Sequence, residues 1–212
     1  MQVSAIILAG GSSSRFGEDK ALVSLAGKPL IKYVLDIAKR ITEEQLIVVS
    51  SSDKLKDFKK ILGSETNVMT DNFSYNIHAP LIGAITGFKN VKGEYSLLLP
   101  CDTPFISREI LDLIIELRGN RSAVIPRWPN GYIEPLQAIY HTGIALETAE
   151  TVLELKKFDM FSFVGKLRRV RYISTLVLQQ LDPKLKTFFN INTPLDLKKA
   201  EFLIKHKKTI IS

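Results

Sequence analysis

One cysteine in 212 residues, Cys101, rules out an internal disulfide and any metal site built on paired cysteines, and it points to a reducing compartment. Long apolar runs are missing as well. The first, Val3 to Ala9, lacks a basic flank and is far too short for a membrane span or an export signal, so the chain is expected to be soluble and cytoplasmic with no membrane partner. No repeat, low-complexity segment or linker interrupts the sequence, which leaves one domain over 1–212. Only three histidines are present, His78, His141 and His206, and none sits in a pattern for acid–base work. Acidic residues are outnumbered: 29 Lys and Arg against 22 Asp and Glu give a formal charge of +7, which favours anionic partners. Charge alone does not choose among nucleotides, phosphorylated metabolites and nucleic acid. The chain carries no RRM, KH or helix-turn-helix pattern, and its aromatics lie at core-like spacings, so nucleic acid is not an expected partner.

What is present is an alternation of strand and helix. Val3 to Leu8, Gln45 to Ser50, Asn67 to Thr70 and Glu94 to Leu99 read as strands. Helices are expected from Leu30 to about Arg40, from an Asp53 cap through Ile61, from Leu81 to about Asn90, and from a Ser107 cap to Arg118. Beyond these, Ser122 to Pro126 and Leu136 to His141 read as strands and Ile144 to Leu155 as a helix. Lys166 to Tyr172 reads as a basic edge, Ser174 to Leu181 as helical, and Pro194 opens a last helix. Such alternation predicts an α/β fold with a mostly parallel sheet, whose ligands sit at the carboxyl ends of the strands.

The stretch most informative about function follows the first strand: Leu8-Ala9-Gly10-Gly11, three serines, Arg15, Phe16-Gly17 and Lys20. Two glycines and small hydroxyl residues leave backbone N–H groups open to an anion, and Arg15 and Lys20 bring positive charge. A flexible strand-to-helix turn with solvated cations would have the same composition. Neither strong phosphate-loop fingerprint is met, because no Ser or Thr follows the Lys and G-x-G-x-x-G is absent.

Three further places stand out. Asp71 follows the third strand and opens a polar loop reaching Ala79-Pro80-Leu81-Ile82-Gly83. Asp102 ends the most apolar strand between Pro100 and Pro104, where a carboxylate could hold Mg²⁺ alongside phosphate oxygens and water, or merely cap a helix. Asn190 and Asn192 flank Ile191 ahead of Thr193-Pro194, a pattern that suits a ligand or an Asx turn. The only Trp, Trp128, could stack on a ring or lie partly in the core.

The block Leu8 to Leu22 resembles the nucleotide loop of the molybdenum cofactor guanylyltransferases, a MobA-like nucleotidyltransferase family, with Phe16 where Met is commoner. Pro100-Cys101-Asp102-Thr103-Pro104-Phe105 resembles that family's metal motif. Asn190-x-Asn192-Thr193-Pro194 resembles its carboxyl-terminal block, and Glu134 to Ala138 more weakly its acceptor side. Ala79 stands where the family has Gly.

The resemblance implies a three-layer Rossmann-like fold whose nucleotide part spans about 1–105 and whose acceptor part spans about 106–212. It implies transfer of GMP from Mg-GTP to molybdopterin, giving molybdopterin guanine dinucleotide and pyrophosphate. Arg15, Lys20 and Asp102 would be catalytic, and Asp102 would hold the metal. Leu8, Ala9, Gly10, Gly11, Lys20, Ser50, Asp71 and Asp102 would bind GTP, and Asn190 and Asn192 would bind the acceptor. Molybdenum-insertion proteins and recipient molybdoenzymes are implied as partners. Related chemistries stay open: molybdopterin cytidylyltransferase, or a sugar-phosphate or cobinamide-phosphate nucleotidyltransferase. The Leu8-Ala9-Gly10-Gly11 form favours guanine, since cytidylyltransferases of this kind usually carry Leu-Ala-Ala-Gly.

Overall fold

Alternate side chains of β1 (Val3–Leu8) serve two different cores, which is why this segment is apolar throughout. Ala5 and Ile7 enter one buried cluster and Ile6 the other. The structure, a computed structural model, describes residues 2–10, 16, 19–71 and 79–209. Gly11, Arg15, the serines between them and His78 therefore lie outside the described residues.

After a 3₁₀ turn at Lys20–Leu22 come a small hairpin, β2 (Ser24–Leu25) and β3 (Lys28–Pro29), then α1 (Leu30–Ile41), β4 (Glu44–Val49), α2 (Ser52–Leu62) and β5 (Val68–Thr70). Next are α3 (Pro80–Asn90), β6 (Tyr95–Pro100), α4 (Arg108–Glu116), β7 (Ala123–Arg127), β8 (Ala138–His141) and α5 (Thr142–Glu154). The chain ends with α6 (Met160–Lys166), β9 (Val170–Ser174), α7 (Thr175–Leu178) and α8 (Pro194–Thr209).

The main sheet runs β5-β4-β1-β6-β8-β7-β9. β8 pairs antiparallel with both β6 and β7, and the other pairings are parallel. Helices α1, α2 and α4 cover one face through Val34, Phe58 and Ile110, while α3, α5 and α6 cover the other through Ile85, Ala149 and Phe163. This is the expected three-layer, mostly parallel α/β architecture. Among the described residues no helix is long and apolar enough to cross a membrane.

Close packing of α3 on β1 depends on two glycines one turn apart. A Cβ at Gly87 would fall 2.4 Å from Ile6 Cγ2, and one at Gly83 would fall 3.2 Å from Leu8 Cδ2. Hydrogen then stands where a methyl group would push helix from sheet. A third cluster joins Val23, Leu25 and Leu30 near the chain's start to Ile191 and Ala200 near its end, with Phe16, Phe105 and Phe189 against it. It packs Phe16 and the hairpin against the carboxyl-terminal segment.

Three details differ from the sequence reading. Ser51, not Asp53, caps α2, its Oγ accepting from Lys54 N at 3.3 Å. Lys166 ends α6, a helix that the sequence reading omits, and the edge strand begins at Val170. The helix expected over Ser174 to Leu181 is a single turn, α7, followed by further turns. Residues 189–193 are irregular and dock on the end of β6, where Ile191 N donates to Asp102 O at 3.0 Å.

Candidate active site

Four parallel strands, β1, β4, β5 and β6, end at one edge of the sheet, and the residues leaving them are those singled out above. Ladder bonds continue past the strand ends and fix their positions. Ala9 N donates to Val48 O at 2.8 Å, Asp71 N to Val49 O at 2.8 Å and Cys101 N to Leu8 O at 3.2 Å. Along this edge runs a cleft of about 640 Å³ whose wall includes Leu8, Ala9, Gly10, Lys20, Asp71, Asp102 and Asn190. Its size suits a nucleotide-scale ligand.

Gly10 lies against Ser50 and Asp71: a Cβ built there would be 3.5 Å from Ser50 Cβ and 3.9 Å from Asp71 Oδ2. These are ordinary contacts, so its neighbours do not demand glycine at this place. Ser50 stands behind Gly10, off the cleft wall.

At the centre, Lys20 Nζ donates to Asp102 Oδ2 at 2.5 Å and to Asn192 Oδ1 at 2.6 Å. The lysine thereby joins the 3₁₀ turn that carries it to the end of β6 and the carboxyl-terminal segment. Asp19 mounts it: Oδ1 accepts from Ala21 N at 3.0 Å, and Oδ2 pairs with Lys54 at 2.8 Å. Asn192 is held in turn by a capping box. Thr193 Oγ1 accepts from Asp196 N at 3.2 Å, while Asp196 Oδ2 accepts from Thr193 N at 2.9 Å and Asn192 N at 3.2 Å. Thr193 Oγ1 also donates to Asp196 Oδ2 at 2.8 Å, and this bond first, then the two from backbone N–H groups, holds the Asp196 carboxyl below the usual range. Asp102 does not cap α4. Ser107 does, accepting from Ile110 N at 3.2 Å, which leaves the Asp102 carboxylate to the cleft.

Burial, reinforced by Asp102, pushes the thiol pKa of the neighbouring Cys101 upward, which disfavours the nucleophilic thiolate. His141 caps α5, with Nδ1 accepting from Ile144 N at 3.4 Å, and does not border the cleft. Among the described residues no group of three or more His, Cys, Asp or Glu side chains could hold a metal ion. A hard cation that keeps water and phosphate oxygens as most of its ligands needs fewer protein carboxylates, and Asp102 suits it.

The cleft wall also includes residues the sequence reading did not assign: Asp19, Tyr132, Asp159 and Phe161. Asp159 caps α6 through Ser162 N at 2.7 Å, and the spacing of Asp159 before an apolar run was its available signal. Trp128 is half-buried, its ring 5.7 Å from that of Phe188 and its Nε1 donating to Glu134 Oε1 at 2.7 Å. Burial raises the Glu134 pKa, against the effect of that bond.

A family model described as "MobA-like NTP transferase domain" matches residues 5–169. The chain is 34% identical over 201 residues to the "Probable molybdenum cofactor guanylyltransferase" of Natranaerobius thermophilus, covering 93% of this chain and 94% of the relative. It is 36% identical over 205 residues to the "Molybdenum cofactor guanylyltransferase" of Desulfosudis oleivorans, covering 96% of each. The crystal structure of molybdopterin-guanine dinucleotide biosynthesis protein A from Archaeoglobus fulgidus superposes with a TM-score of 0.79 at 26% identity, over 96% of this chain and 99% of that one. With that fold and a family match across most of its length, this chain belongs to the MobA-like NTP transferase family.

Proposed function

We propose that this chain is a molybdenum cofactor guanylyltransferase, transferring GMP from GTP to the terminal phosphate of molybdopterin and releasing pyrophosphate. Full-length similarity to relatives of that name supports the reaction. The observation that carries the assignment of residues is the contact of Lys20 with both Asp102 and Asn192 in the cleft.

In this reading Leu8, Ala9 and Gly10, with Ser50 and Asp71 beside them, receive the nucleotide, and Asn190 and Asn192 face the acceptor. Gly11 and Arg15 belong to the same loop. Residues up to about 105 then supply the nucleotide half and those beyond it the acceptor half, with Lys20 touching both. The acceptor's phosphate oxygen attacks the α-phosphorus of GTP and pyrophosphate departs. A phosphate monoester is largely dianionic at pH 7, its second pKa being about 6, so no base need remove a proton. The side chains' work is to hold two anions at close range and to balance the charge gathering on the leaving group. Lys20 Nζ does this directly. Asp102, an oxygen donor on the cleft wall, fits a divalent cation, and magnesium is the metal we assign to it. Bound there, Mg²⁺ would supply Lewis-acid neutralisation of phosphate charge.

Calorimetric titration with Mg-GTP, Mg-CTP, Mg-ATP and Mg-UTP tests the reading: GTP binds most tightly, and equal or tighter binding of CTP would point to the cytidylyltransferase instead.

A further inference from the structure

Two aromatic rings on the cleft wall are half exposed, Tyr132 at 52% and Phe161 at 49%. They come from different elements and meet with ring centroids 5.5 Å apart and 59° between their planes. Both mounts are fixed. Tyr132 N donates to Asn130 Oδ1 at 3.0 Å and its carbonyl accepts from Trp128 N at 2.8 Å, while Asp159 caps the turn that carries Phe161. Glu134 lies on the same wall, its Oε1 accepting from the Trp128 indole at 2.7 Å. An aromatic surface beside a held carboxylate is suited to a flat heterocycle with paired N–H donors.

The sheet order places this seat relative to the rest of the cleft. Along the carboxyl edge the strands run β5, β4, β1, β6, β8, β7, so Asp102 at the end of β6 separates Gly10, Ser50 and Asp71 on one side from the 127–137 segment on the other. Neighbouring strands lie about 4.8 Å apart, so β4 to β7 spans roughly 19 Å, room for a nucleotide and an acceptor meeting over Asp102. We infer that Tyr132, Phe161 and Glu134 seat the pterin ring of the acceptor, the ring stacked on one aromatic face with the other ring against its edge, and its 2-amino and N3–H edge donating to the Glu134 carboxylate. This rests on the proposed function, since it takes the acceptor to be a pterin. Guanine offers the same donor pair, so the test must separate the two.

The probe is 6-hydroxymethylpterin, whose fluorescence is quenched on stacking, titrated into wild type, Glu134→Gln, Tyr132→Leu and Phe161→Leu, with Mg-GTP affinity and melting temperature measured on each. Exposure of both rings keeps the fold safe, and Gln keeps an oxygen for Trp128. The expected result is pterin binding by wild type, weakened about tenfold in Glu134→Gln and in either leucine variant, with GTP affinity within about twofold of wild type. No pterin binding by wild type, or unchanged binding by the variants, overturns the seat. A matching loss of GTP affinity overturns it too and makes the pocket a guanine site. GMP transfer by wild type is assayed separately, so a protein that binds pterin as expected yet transfers nothing refutes the proposed reaction and leaves the seat standing.

Discussion

Replacing Lys20 by Met keeps most of the side chain's stem and removes the charge that joins three segments at the cleft. The structure sets the scale of the structural loss. The Lys20 and Asp102 side chains are 17% and 18% exposed, between a surface pair and a sealed one. Breaking a fully buried pair costs about 3–5 kcal/mol, and an exposed pair contributes about 0–1. Water can enter the cleft and rehydrate Asp102 and Asn192, so the loss should be about 1–2 kcal/mol. For a chain of this size that is a drop of roughly 2–8 °C in melting temperature. The catalytic loss should be larger. A positioned donor aimed at developing charge in a sheltered site is typically worth about 10²–10³ in rate. Thermal denaturation and pyrophosphate release at saturating GTP and molybdopterin give both numbers on one preparation. A turnover within about fivefold of wild type, or a melting temperature more than about 15 °C lower, would refute the assignment of Lys20 to phosphate charge.

Asp102→Asn keeps the shape and an oxygen for Lys20 but removes the charge a hard cation needs, so transfer should be abolished while the melting temperature falls no further than in Lys20→Met; wild-type turnover with wild-type magnesium dependence would remove the metal from this residue. Gly87→Ala should destabilise by about 1–3 kcal/mol in urea unfolding, because the new methyl meets Ile6 Cγ2 at 2.4 Å in a filled core, and an unchanged midpoint would contradict the packing of α3 on β1. Asp196→Asn should cost about 1 kcal/mol at neutral pH through its capping box. Since the folded carboxyl is held below its ordinary value, that contribution is full above about pH 4 and fades as pH falls through the folded pKa, so stability profiles of variant and wild type should converge in acid. A gap that does not narrow as the pH falls below about 4 would show another cause.

The strand ends were legible because a buried parallel strand announces itself as an apolar run and stops at Gly, Ser or Asp. Leu8 to Gly10, Ser50, Asp71 and Asp102 could therefore be aligned along one edge before any contact was known. Lys20 and Asn192 were named separately, and their contact spans 172 positions, which no local pattern encodes. Helix α6 escaped because seven residues carry little periodicity. The aromatic pair was also hidden: Tyr132 sits in a hairpin held by Trp128, and its partner Phe161 lies on the unrecognised helix. Trp128 itself proved to be the half-buried alternative, packed on Phe188 and anchoring Glu134.

The central claim is the reaction, and it is tested most directly by incubating the purified chain with α-labelled GTP, magnesium and molybdopterin. The account predicts label in molybdopterin guanine dinucleotide, one pyrophosphate released per product, and little product when CTP replaces GTP. Label that stays in GTP, or a CTP reaction as fast as the GTP one, would contradict it.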